Sequence, residues 1–185
     1  MTNNEFLHIS GSGMQLVSLT TRHVSKSYVS WLNDQDVNKF LETRHSVQNY
    51  ETICKYIMRM ASMPDVYFFA IFLNGNQFHI GNIKLEVNPI HKRGEISLVI
   101  GEKSCWGKGF GTEAITLIRN FGLHDLQLNK LTAGCYSNNL GSAKAFEKAG
   151  FKREAVLSDH YWTGDQWVDR WCYAFWANNS LAENI

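Results

Sequence analysis

Proline is nearly absent: Pro64 and Pro89 are the only two in 185 residues, and no serine- or glycine-rich linker or internal repeat interrupts the chain. With 44% hydrophobic and 13% aromatic residues there is material for one core, and no shift in composition marks a second. We expect a single domain over residues 1–185, its core at about 14–177. An excess of charge of one sign is also lacking. The formal net charge is +1, with acids and bases interspersed. Nucleic-acid and membrane partners leave a basic run or stripe, so neither is expected. Cysteine is sparse, and Cys54, Cys105, Cys135 and Cys172 show no CxxC or Cys/His ligand spacing. They read as reduced thiols packed as small hydrophobes, and no metal is expected. Residues 1–13 carry no cationic start followed by an apolar run, and no stretch has the length of a membrane span. A cytoplasmic location follows as an expectation.

What is present is a changing periodicity. Met14 to Leu19 suits a short first strand. Thr20 or Thr21 offers a helix cap before Val24, Tyr28, Trp31 and Leu32, whose spacing makes one helical face. Asp36 to Arg44 is a connection with room for one or two helical turns. Ser46 can cap a second helix burying Val47, Tyr50, Cys54, Ile57, Met58 and Ala61, and Pro64 stops it. Val66 to Leu73 is a β-forming run, followed by Asn74-Gly75, a hairpin signal, and a return strand from Phe78 to Val87. Glu95 to Ile100 is a further strand. Phe110, Ala114, Leu117, Ile118 and Phe121 mark the next helix, Lys130 to Tyr136 a strand, and Asn139 to Ala149 a helix. Two aromatic strands, Phe151 to Tyr161 and Trp167 to Trp176, close the chain. This order predicts an α+β protein: a mixed sheet with helices on its faces.

The strongest chemistry lies between the third of these middle strands and its helix. Gly107, Gly109 and Gly111 alternate along Trp106-Gly-Lys-Gly-Phe-Gly-Thr112. Glycine lets a ligand approach the backbone amides, and the following helix turns its unpaired N–H groups and positive end toward an anion. Lys108 adds a mobile cation. The segment is neither a Walker loop nor a dinucleotide fingerprint. Its geometry alone leaves two readings open, a phosphate cradle or a tight structural turn.

Trp106 to Ala114 resembles the acetyl-CoA motif of GNAT acetyltransferases, Arg/Gln-x-x-Gly-x-Gly/Ala, with Trp106 in place of the Arg or Gln. Trp-Gly-Lys-Gly is similar to the branch that holds the ribosomal-protein N-terminal acetyltransferases. A second match follows: Asn139-Leu-Gly-Ser142-Ala-Lys-Ala-Phe146-Glu-Lys-Ala-Gly150-Phe151 resembles the helix that flanks the CoA. The resemblance implies a GNAT fold, a mostly antiparallel sheet of about seven strands with about four helices, its strands splayed to hold CoA. Acetyl-CoA is then the implied co-substrate and direct attack by a primary amine the implied reaction.

Carried over residue by residue, the resemblance implies that the main chain of Leu98, Val99 and Ile100 holds the pantetheine arm. Gly107, Lys108, Gly109, Phe110, Gly111 and Thr112 would receive the pyrophosphate, and Asn139 and Ser142 would contact the CoA arm. Glu95 is the candidate base; otherwise it is a strand residue paired with Lys92 or Arg93. The acid for the leaving thiolate is usually a tyrosine at the position of Phe146, which cannot donate. Ser142 is the preferred substitute, with Tyr136 or unassisted departure as alternatives. An acyl-cysteine route through Cys105 or Cys135 is disfavoured, since neither has a histidine beside it in sequence. The acceptor would be lined by Trp31, Glu42, Arg44, Asp159 and Tyr161. The Trp31 to Arg44 segment is similar to acetyltransferases of nucleotide-linked amino sugars. The acceptor is expected to be such a small-molecule amine, with a ribosomal-protein N-terminus as the runner-up and a non-catalytic acyl-CoA sensor as a third reading. The aromatic final hairpin leaves a homodimer open.

Overall fold

The computed structural model describes residues 7–75 and 77–180. Eight strands form one sheet in the order β1-β2-β3-β4-β5-β6-β8-β7. They are β1 (His8–Ser10), β2 (Met14–Ser18), β3 (Val66–Leu73), β4 (His79–Asn88), β5 (Arg93–Ile100), β6 (Lys130–Tyr136), β7 (Lys152–Trp162) and β8 (Trp167–Trp176). Only β5 and β6 run parallel; every other neighbouring pair is antiparallel. The α+β architecture matches expectation, with one strand more. β1 was missed because three mostly polar residues carry no alternation long enough to read.

Four longer helices pack on the sheet: α1 (Lys26–Asn33), α3 (Tyr50–Ala61), α4 (Phe110–Asn120) and α5 (Leu140–Lys148). Single turns, α2 (Gln35–Asn38) and α6 (Ala177–Ser180), complete the set. Two caps differ from expectation. Ser25, not Thr20 or Thr21, accepts from the amide of Tyr28, and Thr21–His23 forms a separate tight turn. Asn49, not Ser46, accepts from the amide of Thr52, so α3 starts later than expected. Val47 then lies outside the helix, and Tyr50, Met58 and Ala61 fall off its buried side, which carries Ile53, Cys54, Ile57 and Met60.

The core is divided by the sheet. On one face α4 and α5 cover Ile83, Leu85, Ile96, Leu131, Ala133 and Tyr173. On the other, α1 and α3 pack Tyr28, Trp31, Leu32, Ile53 and Ile57 against Ala70, with Phe68, Phe72 and Val99 alongside. This second layer seats His79 among Tyr28, Trp31 and Phe72, and burial lowers the imidazole's proton affinity. Gly101 exists for the same layer: a Cβ there would fall 2.2 Å from the Trp31 ring.

Candidate functional site

β5 and β6 begin as a parallel pair, Arg93 opposite Lys130 through Ile96 opposite Ala133, and then part. From Ser97 to Ile100 and from Gly134 to Tyr136 the two strands no longer pair with each other. A gap opens in the middle of the sheet, leaving the main-chain groups on that side of each strand without a ladder partner. β5 remains attached to β4 along its other edge as far as Ile100.

At the end of β5 the chain turns into the glycine loop. The indole N–H of Trp106 donates to the Ile100 carbonyl at 2.8 Å, closing the loop onto the strand. Gly107 and Gly109 take φ values of +72° and +88°, and a Cβ at either would meet nothing within 4 Å. Both glycines therefore meet a backbone demand, and their outer side is open space. Gly109 is the N-cap of α4 and offers no side chain to the first-turn amides. Across the gap, Asn139 caps α5: its side-chain oxygen accepts from the amide of Ser142 at 3.2 Å.

These pieces enclose a cavity of about 700 Å³. Its lining holds Leu98, Val99 and Ile100 from β5, Gly107 and Gly109 to Thr112 from the loop and α4, and Asn139 and Ser142 from α5. Val37, Phe40 and Leu41 form a further wall. Of the expected cofactor residues, Lys108 alone is outside the lining; its side chain faces solvent on the same loop. An extended chain ending in a diphosphate fits such a cavity: a slot between two strands, leading to a loop of accessible amides at a helix N-terminus. Phe146 is buried against Phe151 and Tyr173 instead of lining it. Ser142 does line it, next to Cys135, whose thiol burial pushes up to about 11.

The acceptor-side residues separate into three groups. Trp31 is a correction: only 7% exposed and packed on Gly101 and His79, it belongs to the core, as its helical spacing with Tyr28 and Leu32 required. Glu42, Arg44 and Tyr161 do meet, and Tyr136 is what joins them. The Tyr136 hydroxyl donates to Glu42 Oε1 at 3.0 Å and accepts from Arg44 at 2.8 Å, while its ring stacks on Tyr161 at 3.8 Å. Arg44 also donates to the carbonyl of Leu41, a cavity-wall residue, and Phe40 of the same wall packs on Tyr136. Burial and Glu42 raise the Tyr136 hydroxyl's pKa, with Arg44 opposing, so it stays protonated at neutral pH. Asp159 has no hydrogen bond or ion pair to this group among the described residues. It sits at φ +49° in an irregular stretch of β7, its amide donating to Asp169.

Glu95 lies below the gap, outside the cavity lining. Its partner is neither Lys92 nor Arg93 but Arg170, at 2.9 Å. Periodicity could not have found that pair, because the two residues are 75 apart in sequence.

The family model for the acetyltransferase (GNAT) domain matches residues 14–152. The protein named "Probable N-acetyltransferase YjcK" from Bacillus subtilis is 33% identical over 106 residues, 56% of this chain and 58% of that protein. Human "Alpha/beta-tubulin-N-acetyltransferase 9" is 26% identical over 172 residues, 85% of this chain and 81% of that one. A crystal structure of a GNAT-family acetyltransferase from Bacillus anthracis superposes with a TM-score of 0.80 at 21% identity, covering 93% of this chain and 99% of the other.

Proposed function

The chain belongs to the GNAT acetyltransferase family, and from that premise we propose that it moves an acetyl group from acetyl-CoA to a primary amine, with a nucleotide-linked amino sugar as acceptor. The observation that carries the first part is the split sheet ending on the glycine loop. The free edges of Leu98 to Ile100 would hold the pantetheine arm, and the amides from Gly107 to Thr112 the diphosphate. Ser142 lies beside that slot and is the proton donor we assign to the departing thiolate.

The acceptor amine arrives as an ammonium at neutral pH and must lose a proton before it attacks. Glu95, on the opposite face of the sheet from α4, is the group we assign to that task, directly or through water. Glu42 supports the ammonium subsite. Its carboxylate is 75% exposed, with Tyr136 holding one oxygen and His45 3.8 Å from the other, so an ammonium at the second oxygen would displace only a long, exposed contact. A nucleotide sugar brings an ammonium, an anionic diphosphate and flat rings, and Glu42, Arg44 and the Tyr136–Tyr161 stack offer a partner for each. The loss of Trp31 to the core removes one aromatic from this reading but leaves Tyr161 and the half-exposed Trp162.

A second reading, a protein amine, is favoured by the extent of the match to the human relative, whose name gives tubulin as substrate. One experiment separates them: thiol release from acetyl-CoA with UDP- and dTDP-linked amino sugars against peptides with free N-termini. Turnover confined to sugars is the expected result. Turnover confined to peptides rejects the sugar, and acetyl-CoA binding with no turnover on any amine rejects the enzyme.

A further inference from the structure

Arg170 starts on β8 directly opposite Tyr136, and its side chain runs back across β6 to reach Glu95 on β5. The path passes over Gly134. A Cβ placed on Gly134 would lie 2.3 Å from Arg170 Nε and 2.5 Å from its terminal nitrogen, so the guanidinium rests where any other residue would put a side chain. Gly134 is also the first residue of β6 beyond the last pair with β5. The guanidinium therefore spans the sheet just where the gap opens, on the face shared by Glu95, Ser97 and Val99.

Two further facts give this bridge a purpose. Glu95 stands directly across from Glu86 on β4, and Glu86 already holds Lys84 at 3.0 Å. Like charges opposite one another on a sheet repel. Without a cation on its other side, Glu95 would swing into solvent. The second fact is a cost: Arg170 Nε is buried and has no hydrogen-bond partner among the described residues. A buried unpaired donor is unfavourable, and it persists here alongside the ion pair that the reach across Gly134 permits.

We infer that Arg170 is a positioning residue for the acetyl transfer, pinning the Glu95 carboxylate beside the point where β5 and β6 part, from a seat that glycine at 134 leaves free. The inference rests on Glu95 being the base. Its consequence is kinetic: unpinning the carboxylate slows proton removal and leaves the acetyl-CoA slot intact.

The test is a set of steady-state assays on the full chain with whichever amine the acceptor panel identifies. Arg170→Ala should lower kcat about tenfold or more, with the KM for acetyl-CoA within about twofold. Arg170→Lys, which keeps a cation on a long stem, should recover to within about threefold of wild type. Gly134→Ala should reproduce the Arg170→Ala defect, because the new methyl displaces only the flexible end of the arginine; unchanged melting and CoA-binding heat would show that it folds. In a Glu95→Gln background Arg170→Ala should cost nothing more. If Glu95→Gln is strongly impaired while Arg170→Ala and Gly134→Ala keep kcat within about twofold, the positioning role is overturned and the base survives. Losses that multiply in the double variant overturn it too. A Glu95→Gln enzyme with wild-type kcat removes the base assignment itself, and the inference with it.

Discussion

Ser142, which lines the slot, and its neighbour Cys135, which does not, invite different chemistry, and burial decides between them. Cys135 is a nucleophile by type, but its thiol is pushed up to about 11 because the thiolate would be desolvated beside Ser142. At pH 7.5 less than about one part in a thousand is thiolate, too little to carry an acyl-enzyme. We therefore expect Cys135→Ala to keep kcat within about threefold of wild type, and intact-mass spectra under turnover to show no +42 Da species. A covalent acetyl adduct on Cys135 would reverse that. Trp31 shows the opposite error of reading. Its spacing with Tyr28 and Leu32 already placed it on a buried face, yet its ring chemistry suggested an acceptor contact. Spacing was the better guide, since Tyr28, Trp31 and Leu32 share the helix face that packs on the sheet, and one side chain cannot serve the core and an open acceptor site together. Trp31→Ala should cost about 3–5 kcal/mol of stability, measured by urea unfolding, through the void left against Gly101 and His79.

At the scale of elements, the loop before α4 is held from two directions. Trp106 ties it to β5, and Lys103 ties it to the acceptor side through Asp34 at 2.7 Å and Asp36 at 3.1 Å, at the junction of α1 and α2. The Lys103 hydrogen bond, helped by the amide of Asp36, lowers the Asp34 pKa. A carboxylate with a depressed folded pKa adds stability above its ordinary pKa and loses it as pH falls through the folded one. Lys103→Ala should thus lower the melting temperature at pH 7 and have progressively less effect as the pH falls through the depressed pKa of Asp34. A loss that stays equal as the pH falls would mean that the lysine acts through packing. The glycines were legible for a different reason. Gly107 and Gly109 take up positive φ, which glycine alone adopts without strain, so the sharp turn of the loop was readable from residue type. Gly109→Ala strains that backbone by about 1–2 kcal/mol. It also puts a methyl in the approach to the amides, so acetyl-CoA should bind about tenfold or more weakly by calorimetry. The helix starts were less legible, because Thr20, Thr21, Ser25, Ser46 and Asn49 are all competent caps and only tertiary packing chooses Ser25 and Asn49.

Across the whole molecule, strand order governs what sequence could and could not reveal. Local pairs such as β3 with β4 follow from a turn between two runs. The insertion of β8 between β6 and β7 brings Arg170 to Glu95 and Tyr161 to Tyr136 without any local sign. Glu42 and Arg44 were nameable as acceptor candidates, but Tyr136 as their junction required β6 and the segment after α2 to be adjacent in space. The same order puts a break in the ladder, the split between β5 and β6, in the middle of the sheet. Amides there are held along one edge only, so they should open more readily than those of β2 and β3, which pair with each other along their length. A pantetheine arm lying in the slot would supply the missing edge. Hydrogen exchange read by mass spectrometry should therefore slow on acetyl-CoA addition in peptides spanning 97–101, 107–112 and 134–136, with 66–73 unchanged. Ligand at 100 times its Kd stabilises the whole fold by about 2.7 kcal/mol, so all peptides that exchange by global unfolding slow alike. The discriminating result is extra protection confined to the two strands and the loop. Uniform slowing across the sheet would place the ligand elsewhere, because a molecule bound outside the slot has no means of pairing its free edges.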